Sequence, residues 1–249
     1  MSFKIAIPSY RRSDNFIVQN LLKEAGIKHS DIYIFVSDNQ DYTEYKKQFP
    51  QYNIIFQKEL NDLKEKHNFI VDYFSENEHV VIIEDDIKEI VKKKGKKVEK
   101  FIDLQKLFQI GFNECQKNNC KLWGISPTDN GFYMSDSFGK CFKVVAGYIF
   151  GIIVDKRIKV NISQKHDYER TILNKIYFGG VIRFDMFGQR SNSFTNKGGL
   201  QEIFTSDERM KEELKVNNFL VKTYPKHVAK KNRHNKVLGA STELRLLRI

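Results

Sequence analysis

The sequence predicts an α/β fold in which a mixed, largely parallel sheet is flanked by helices. Three observations lead there. The run Val80-Val81-Ile82-Ile83 places four β-branched residues in succession, the pattern of a strand buried on both faces of a sheet. Strand-like and helix-like segments alternate from Phe3 to Asp86, as strand–helix–strand units do. A chain of 249 residues that is 41% hydrophobic and 13% aromatic can also bury a substantial core.

Taken in order, Phe3 to Ile7 is the first strand and Pro8-Ser9-Tyr10-Arg11-Arg12 the loop leaving it. Ser13 or Asp14 is placed to cap a helix running through Ala25, with Phe16, Leu21, Leu22 and Ala25 on its apolar side. Asp31 to Val36 is a second strand that ends at Ser37-Asp38-Asn39; Tyr42 to Phe49 is helical and Asn53 to Gln57 is a short third strand. Asn61 to Phe74 has helical spacing through Leu63, His67, Ile70 and Phe74 and leads into the Val80 strand. Beyond it, Leu104 to Gln116 is an amphipathic helix and Lys121 to Ile125 a short strand, followed by a turn-forming loop from Ser126 to Gly131. Lys143 to Val154 reads as a buried strand in which Gly147 and Gly151 permit close backbone approach. His166 to Lys175 is helical, Gly179 to Phe184 a turn and strand, and Ser206 to Val216 an acidic helix. The basic terminus after Tyr224 is expected to be irregular. With only 4 prolines and no Ser/Gly tract to act as a linker, residues 1–249 are expected to form one domain.

No hydrophobic run is long enough to span a bilayer; the best, Val144 to Val154, has about half the required length. The N-terminus lacks a signal-peptide pattern. Cys115, Cys120 and Cys141 are odd in number and have no metal-ligand spacing, which suits reduced thiols in a cytoplasm. The net charge of +11 points to a polyanionic partner: nucleic acid, an anionic membrane face or the phosphates of a sugar nucleotide. Two stretches hold much of it. Lys88 to Lys100 contains seven lysines around Gly95, and Lys222 to Arg248 has eight Lys/Arg residues against the single acid Glu243. Either run alone is equally a solvated face or a loop.

Chemistry is expected where the Val80 strand ends. Glu84-Asp85-Asp86 follow at once, and open α/β sheets bind ligands at the carboxyl ends of their strands. Adjacent carboxylates repel, and a divalent cation shared with a substrate phosphate relieves them. Asp86, assisted by Glu84, is the candidate ligand for Mn²⁺ or Mg²⁺. The loop Pro8, Ser9, Tyr10, Arg11 and the acid Asp38 leave their strands on the same edge. Arg11 offers a planar fork to phosphate, and Asp38 an acceptor to a base or ribose.

These residues resemble those of a GT-A glycosyltransferase. Ile5-Ala6-Ile7-Pro8-Ser9-Tyr10-Arg11 is similar to that fold's opening strand and nucleotide loop, and Glu84-Asp85-Asp86 to its acidic metal motif. Lys66-His67-Asn68 stands where many members carry an Arg-Asn pair, so Asn68 matches and His67 departs. The second half has Gly124-Ile125-Ser126-Pro127-Thr128-Asp129-Asn130 with Phe132 and Met134, Gly147-Tyr148-Ile149-Phe150-Gly151, His166-Asp167-Tyr168-Glu169-Arg170, Gly179-Gly180-Val181-Ile182-Arg183-Phe184, Gly198-Gly199 and Tyr224-Pro225. In this order the motifs resemble the phage and viral TET-associated glycosyltransferases, inferred to add sugars to hydroxymethylated pyrimidines in DNA.

The resemblance implies a UDP-sugar donor bound by residues 1–100, with Asp85 and Glu84 beside the nucleotide, and an acceptor half over 101–249. It implies double-stranded DNA carrying 5-hydroxymethylcytosine or a related base as acceptor. Asp167, or failing that Glu169, is nominated as the base that takes the acceptor proton, although acids there equally suit a helix N-terminus. Lys226, Lys230, Lys231, Arg233 and Lys236 are the candidate DNA-phosphate contacts. His227 or His234 is a weaker candidate for a further metal ligand, and Trp123 is expected in the core. Three alternatives share parts of this pattern: a transferase acting on a glycan, a nucleic-acid-binding protein on a degenerate transferase fold, and a nucleotidyltransferase.

Overall fold

The β-branched run forms a strand in the middle of an eight-stranded sheet. In the computed structural model, residues 2–58, 60, 62–191, 206–231 and 243–247 are described, the side chains of 206–209 excepted. Strands β1 (Lys4–Pro8), β2 (Ile32–Val36) and β3 (Asn53–Phe56) alternate with helices α1 (Val18–Glu24) and α2 (Asn39–Gln48). Helix α3 (Leu63–Tyr73) leads into β4 (His79–Ile83), and β5 (Ile87–Lys94) and β6 (Lys97–Phe101) form a hairpin before α4 (Leu104–Lys117) and β7 (Leu122–Ile125). The second half contains β8 (Phe138–Cys141), β9 (Ile149–Ile153), α5 (His166–Phe178), β10 (Val181–Phe184) and β11 (Phe187–Ser191). After these come α6 (Ser206–Thr223), β12 (Val228–Lys230) and β13 (Leu244–Leu246).

The large sheet has the order β3-β2-β1-β4-β9-β7-β10-β8. β1, β2, β3 and β4 are mutually parallel, while β9 runs against both β4 and β7, and β8 against β10. The sheet is therefore mixed. Side chains of β4 alternate between two cores, as a strand's period of two requires. Val81 and Ile83 pack with Ile5, Ile7, Phe108 and Trp123 on one face. Val80 and Ile82 pack with Ala6, Ile70 and Phe150 on the other. A third cluster joins Ile172 of α5 to Val216 and Leu220 of α6 and to Val228 and Leu244.

Trp123 is fully buried, and glycines make room for it. A methyl group at Gly151, its cross-strand neighbour, would lie 2.0 Å from the indole Nε1; one at Gly111 of α4 would lie 2.5 Å from Cδ2. Gly151 thus provides the expected close approach.

Several elements differ from the sequence expectation. Residues 13–15 form a 3-10 turn, and α1 begins only at Val18, whose N–H donates to the Asp85 carbonyl at 3.1 Å. The loop after β1 is thereby drawn onto the acidic triplet before the helix starts. The lysine run 88–100 is a hairpin turning at Gly95, with a φ of +62°; Ile87, Ile90 and Val91 are buried, while most of its lysines face outward. Only five residues of the apolar run 143–154 are strand, and β8 and β11 were not anticipated. The basic terminus is not wholly irregular, because β12 pairs with β13. Among the described residues no helix is long and apolar enough to cross a membrane.

Candidate active site at the carboxyl edge of the sheet

Strand direction brings the candidate residues to one edge. β7 runs with β4, both being antiparallel to β9, and β10 is parallel to β7. The loops after β1, β2, β4, β7 and β10 therefore leave the sheet on the same side. The chain steps from β1 to β2 and β3, then returns to place β4 on the other flank of β1. Such a reversal opens a crevice between the carboxyl ends of the two strands. Ser9–Arg12 and Glu84–Asp86 lie at that edge, with Ser9, Asp85 and Asp86 buried.

A buried polar network joins these segments. Ser9 Oγ donates to Asp85 Oδ2 at 2.6 Å and lies 2.8 Å from the Tyr45 hydroxyl. Serine has one proton to give, so the Tyr45 hydroxyl donates to Ser9. Lys66 Nζ donates to the Ser9 carbonyl at 2.6 Å, and burial lowers its pKa to about 8 against the pull of Asp85 and Asp41. The Arg12 guanidinium binds Asp85 and reaches Asp86 Oδ2 at 3.2 Å. Arg12, Tyr45 and Lys66 were not nominated from the sequence. Nothing in Arg11-Arg12 says which guanidinium turns inward, although the pairing of a cation with the acids was foreseeable.

Tyr10, Arg11 and Asp38 form the outer rim. Arg11 is exposed, has a φ of +53°, and stands 5.0 Å over the Tyr10 ring. Its N–H donates to Asp41, and its guanidinium is 3.8 Å from Asp38 Oδ2. Asp38 Oδ1 caps α2 by accepting from the N–H groups of Gln40 and Asp41 at 2.9 and 3.0 Å. Its other oxygen remains on the crevice side with Arg11. Pro8 is buried at the end of β1 and orients the loop.

The acids strain against one another. Burial, followed by the charges of Asp86 and Asp85, raises the Glu84 pKa to about 8, and Asp167 adds to the effect. Burial and then Asp85 also push Asp86 up. Asp86 Oδ1 is buried without a hydrogen-bond partner. No three His, Cys, Asp or Glu side chains among the described residues form a metal cage. Mg²⁺ rarely needs one, since it is commonly held by one or two carboxylates together with substrate phosphates. An orphan carboxylate oxygen within a crowded acidic group fits a hard divalent ion of that kind.

The N-terminus of α5 closes the far side of the crevice. Glu84 N–H donates to the Tyr148 carbonyl at 3.0 Å. A methyl group at Gly147 would sit 3.8 Å from Glu84 Oε1 and 3.4 Å from His166 Nε2. The Ser163 carbonyl can only accept, so His166 Nδ1 donates to it at 2.9 Å and Nε2 carries no proton. That Nε2 has no hydrogen-bond partner. His67 lies 4.5 Å from His166, ring to ring, and the Arg170 guanidinium is 3.6 Å from the Phe150 ring centroid. Burial lowers the pKa of both histidines.

The family profile for TET-associated glycosyltransferases matches residues 3–175, more than half of the chain. The chain belongs to that family. It is a glycosyltransferase. Among solved structures, a mycobacterial protein superposes with a TM-score of 0.54 at 7% identity, over 99% of this chain and 83% of that one. Lower scores come from 4-diphosphocytidyl-2C-methyl-D-erythritol synthase (0.43; 10% identity; 81% and 96% covered). The apo-form glycosyltransferase GlyE of Streptococcus pneumoniae gives 0.42 (12% identity; 90% and 64% covered). The first of these likenesses concerns the fold alone. No curated protein sequence matches the chain.

Within this TET-associated glycosyltransferase the two nominated bases part company. Asp167 is half-buried near Glu84, and the hydrogen bond resolved for its carboxylate comes from the Tyr168 N–H at 3.0 Å. Glu169 is fully buried and engaged. It accepts from Asn161 N–H at 2.6 Å, Asn161 Nδ2 at 2.9 Å, Ile162 N–H at 3.3 Å and Tyr224 Oη at 2.9 Å. It fastens a loop and the end of α6 to α5, which leaves no lone pair aimed at an acceptor. Asn68 is likewise occupied, donating to the Val160 carbonyl at 2.8 Å and accepting its N–H at 2.9 Å. It shapes a neighbouring loop rather than the crevice.

Asp129 pairs with Arg190 at 2.9 Å, and Asn130 Oδ1 accepts the Phe132 N–H at 3.0 Å, so both build the loop they occupy. Lys226, Lys230 and Lys231 are exposed around β12, with Lys231 paired to Glu243 at 3.0 Å. His227 packs edge-on against Phe142, away from the acids' network. Arg233, His234, Lys236 and Gly198-Gly199 lie outside the described residues.

Proposed function

We propose that the enzyme moves a sugar from a UDP-sugar to 5-hydroxymethylcytosine, or a related hydroxymethylated base, in phage or viral DNA. The crevice between β1 and β4, where Arg12 binds the paired acids, is the observation that carries the donor half of this reading. Family membership and the net charge of +11 support a polyanionic acceptor. Tyr10, Arg11 and Asp38 would receive the nucleotide at the rim, and Ser9, Lys66 and Arg12 would hold the loop and Asp85 in place beneath it. Asp86, with Glu84, would hold Mn²⁺ or Mg²⁺, which when bound neutralises charge on a departing diphosphate. In the transfer the bond from the anomeric carbon to the diphosphate breaks and one to the hydroxymethyl oxygen forms. Asp167 takes the hydroxyl proton, at the end of the crevice opposite the nucleotide rim.

The test incubates the enzyme with a panel of UDP-sugars, Mn²⁺ and duplex DNA carrying cytosine or 5-hydroxymethylcytosine, and reads nucleoside masses. A hexose or pentose increment on the modified base alone, abolished in Asp86→Ala, is expected. Donor hydrolysis without a DNA product would overturn the acceptor and direct attention to glycans.

A further inference from the structure

The loop that leaves β7 on the active edge exposes two large aromatic rings. Phe132 and Tyr133 are 67% and 75% accessible, and their rings meet edge-to-face at 5.3 Å. Their backbone is nevertheless held. Asn130 accepts the Phe132 N–H with its side chain and the Tyr133 N–H with its carbonyl, at 3.0 and 2.9 Å, while Met134 is buried behind them. Gly131 seats this turn directly on the tip of the β5–β6 hairpin. A methyl group there would come within 2.6 Å of the Lys97 carbonyl oxygen and 2.8 Å of that of Lys96. Two ion-pair braces add to this contact: Arg190 joins Glu89 of β5 to Asp129 of the loop at 2.7 and 2.9 Å, and Lys93 reaches Asp136 at 2.8 Å.

The hairpin under these rings is strongly basic. It starts at Ile87, the residue after Asp86, and its eight-residue strand extends roughly 26 Å at about 3.3 Å per residue. Lys94 and Lys100 are matched by Glu99 and Glu24. Lys88, Lys96 and Lys97 are exposed and form no ion pair among the described residues. Exposed cations beside firmly mounted, solvent-facing rings are what a nucleic-acid strand needs. Its phosphates supply the counter-charge, and any base can stack on a ring. An acidic peptide would use the lysines without the rings, and a neutral glycan the rings without the lysines.

We propose that the β5–β6 hairpin and the Phe132–Tyr133 pair form the DNA-docking surface of this enzyme. Lys88, Lys96 and Lys97 hold the backbone, and one of the two rings, set at nearly a right angle to the other, stacks on a base displaced from the helix. The proposal rests on DNA as acceptor and deepens that reading, moving the principal contact from the terminal lysines to the hairpin. It also bears on reach. A ring inserted at the helix stack props open the position from which a neighbouring base leaves for the crevice.

The test is fluorescence anisotropy of labelled duplex DNA across a KCl series, with wild type, Lys96→Gln/Lys97→Gln and Phe132→Ala/Tyr133→Ala. The lysine variant is expected to reduce the slope of log K against log salt by about 1.8, at about 0.9 per phosphate contact. The aromatic variant is expected to bind roughly tenfold or more weakly with the slope unchanged. Thermal melts report folding, and Phe132→Leu/Tyr133→Leu, which keeps apolar bulk without a ring, serves if the alanine variant melts early. Wild type that binds and glycosylates DNA while either variant binds as well as wild type would overturn the surface and leave the acceptor standing. Wild type that neither binds nor modifies DNA would remove the acceptor reading itself, and the surface with it.

Discussion

Replacing Glu169 separates a structural carboxylate from the proposed base two residues away. In Glu169→Ala, two backbone N–H groups, the Asn161 amide and the Tyr224 hydroxyl lose their common acceptor. Asn161 is exposed, so water can satisfy part of that set. A hydrogen bond to a charged group contributes about 1.5–3 kcal/mol, so losing the two backbone bonds destabilises by about 3–6 kcal/mol. For a chain of this size, about 2–4 °C of melting temperature follows each kcal/mol, so a drop of roughly 6–24 °C is expected. Glu169→Gln keeps one acceptor oxygen, and Tyr224 and the Asn161 side chain can each turn to accept from the new amide. Its melting loss should be about half as large, with transfer at 20 °C largely retained. Asp167→Asn should do the reverse, melting near wild type while transfer falls roughly 10²–10⁴-fold, the usual contribution of a general base. Differential scanning fluorimetry and single-turnover transfer measure both. A Glu169→Gln enzyme that melts like wild type but has lost transfer a hundredfold would refute the assignment and make Glu169 the base.

Three further outcomes are expected. Arg12→Met leaves Asp85 and Asp86 buried without their cation and should lower stability by about 3–5 kcal/mol, read from urea midpoints. His166 is held neutral with its pKa lowered to about 4 by burial, and burial also holds His67 well below its usual value. Between about pH 6.5 and 4 the unfolded chain therefore binds protons that the folded one does not. This stability is present above pH 6.5 and is lost as the pH falls; urea melts at pH 7.5 and 5 should show the loss, reduced in His67→Phe. Gly151→Ala drives a methyl group into Trp123 and should cost at least about 2 kcal/mol, with a matching change in tryptophan fluorescence.

Local pattern carried the framework. Four β-branched residues in a row, followed at once by three acids, place a buried strand and its charged exit without reference to anything distant. The strand and helix alternation up to Asp86 does the same for topology. Hairpin β5–β6 escaped because seven lysines mask Ile87, Ile90, Val91 and Val98, whose alternation is broken where Ile90 and Val91 are buried in succession. Strands β8 (Phe138–Cys141) and β11 (Phe187–Ser191) each carry a glycine and polar residues and no β-branched run, and pairing with distant neighbours defines them.

The amino-acid sequence by itself determined an α/β fold with a run of acids at the end of its fourth strand, because burial and strand period are written in neighbouring residues; its transferase character was legible only through the resemblance of its motifs to a family. Tertiary structure alone decided which members of neighbouring pairs face the acids of the candidate site. Asp167 and Glu169 stand about 200° apart on a helix that turns about 100° per residue. The packing of α5, by way of Asn161 and Tyr224, turns one acid towards Glu84 and buries the other. Arg11 and Arg12 diverge for a similar reason: Arg11 takes a left-handed φ and stays outside, while Arg12 meets the charge of Asp85 and Asp86 within. Such choices depend on distant partners, Tyr224 at 55 positions from Glu169 and Asp85 at 73 from Arg12, and no local pattern encodes them.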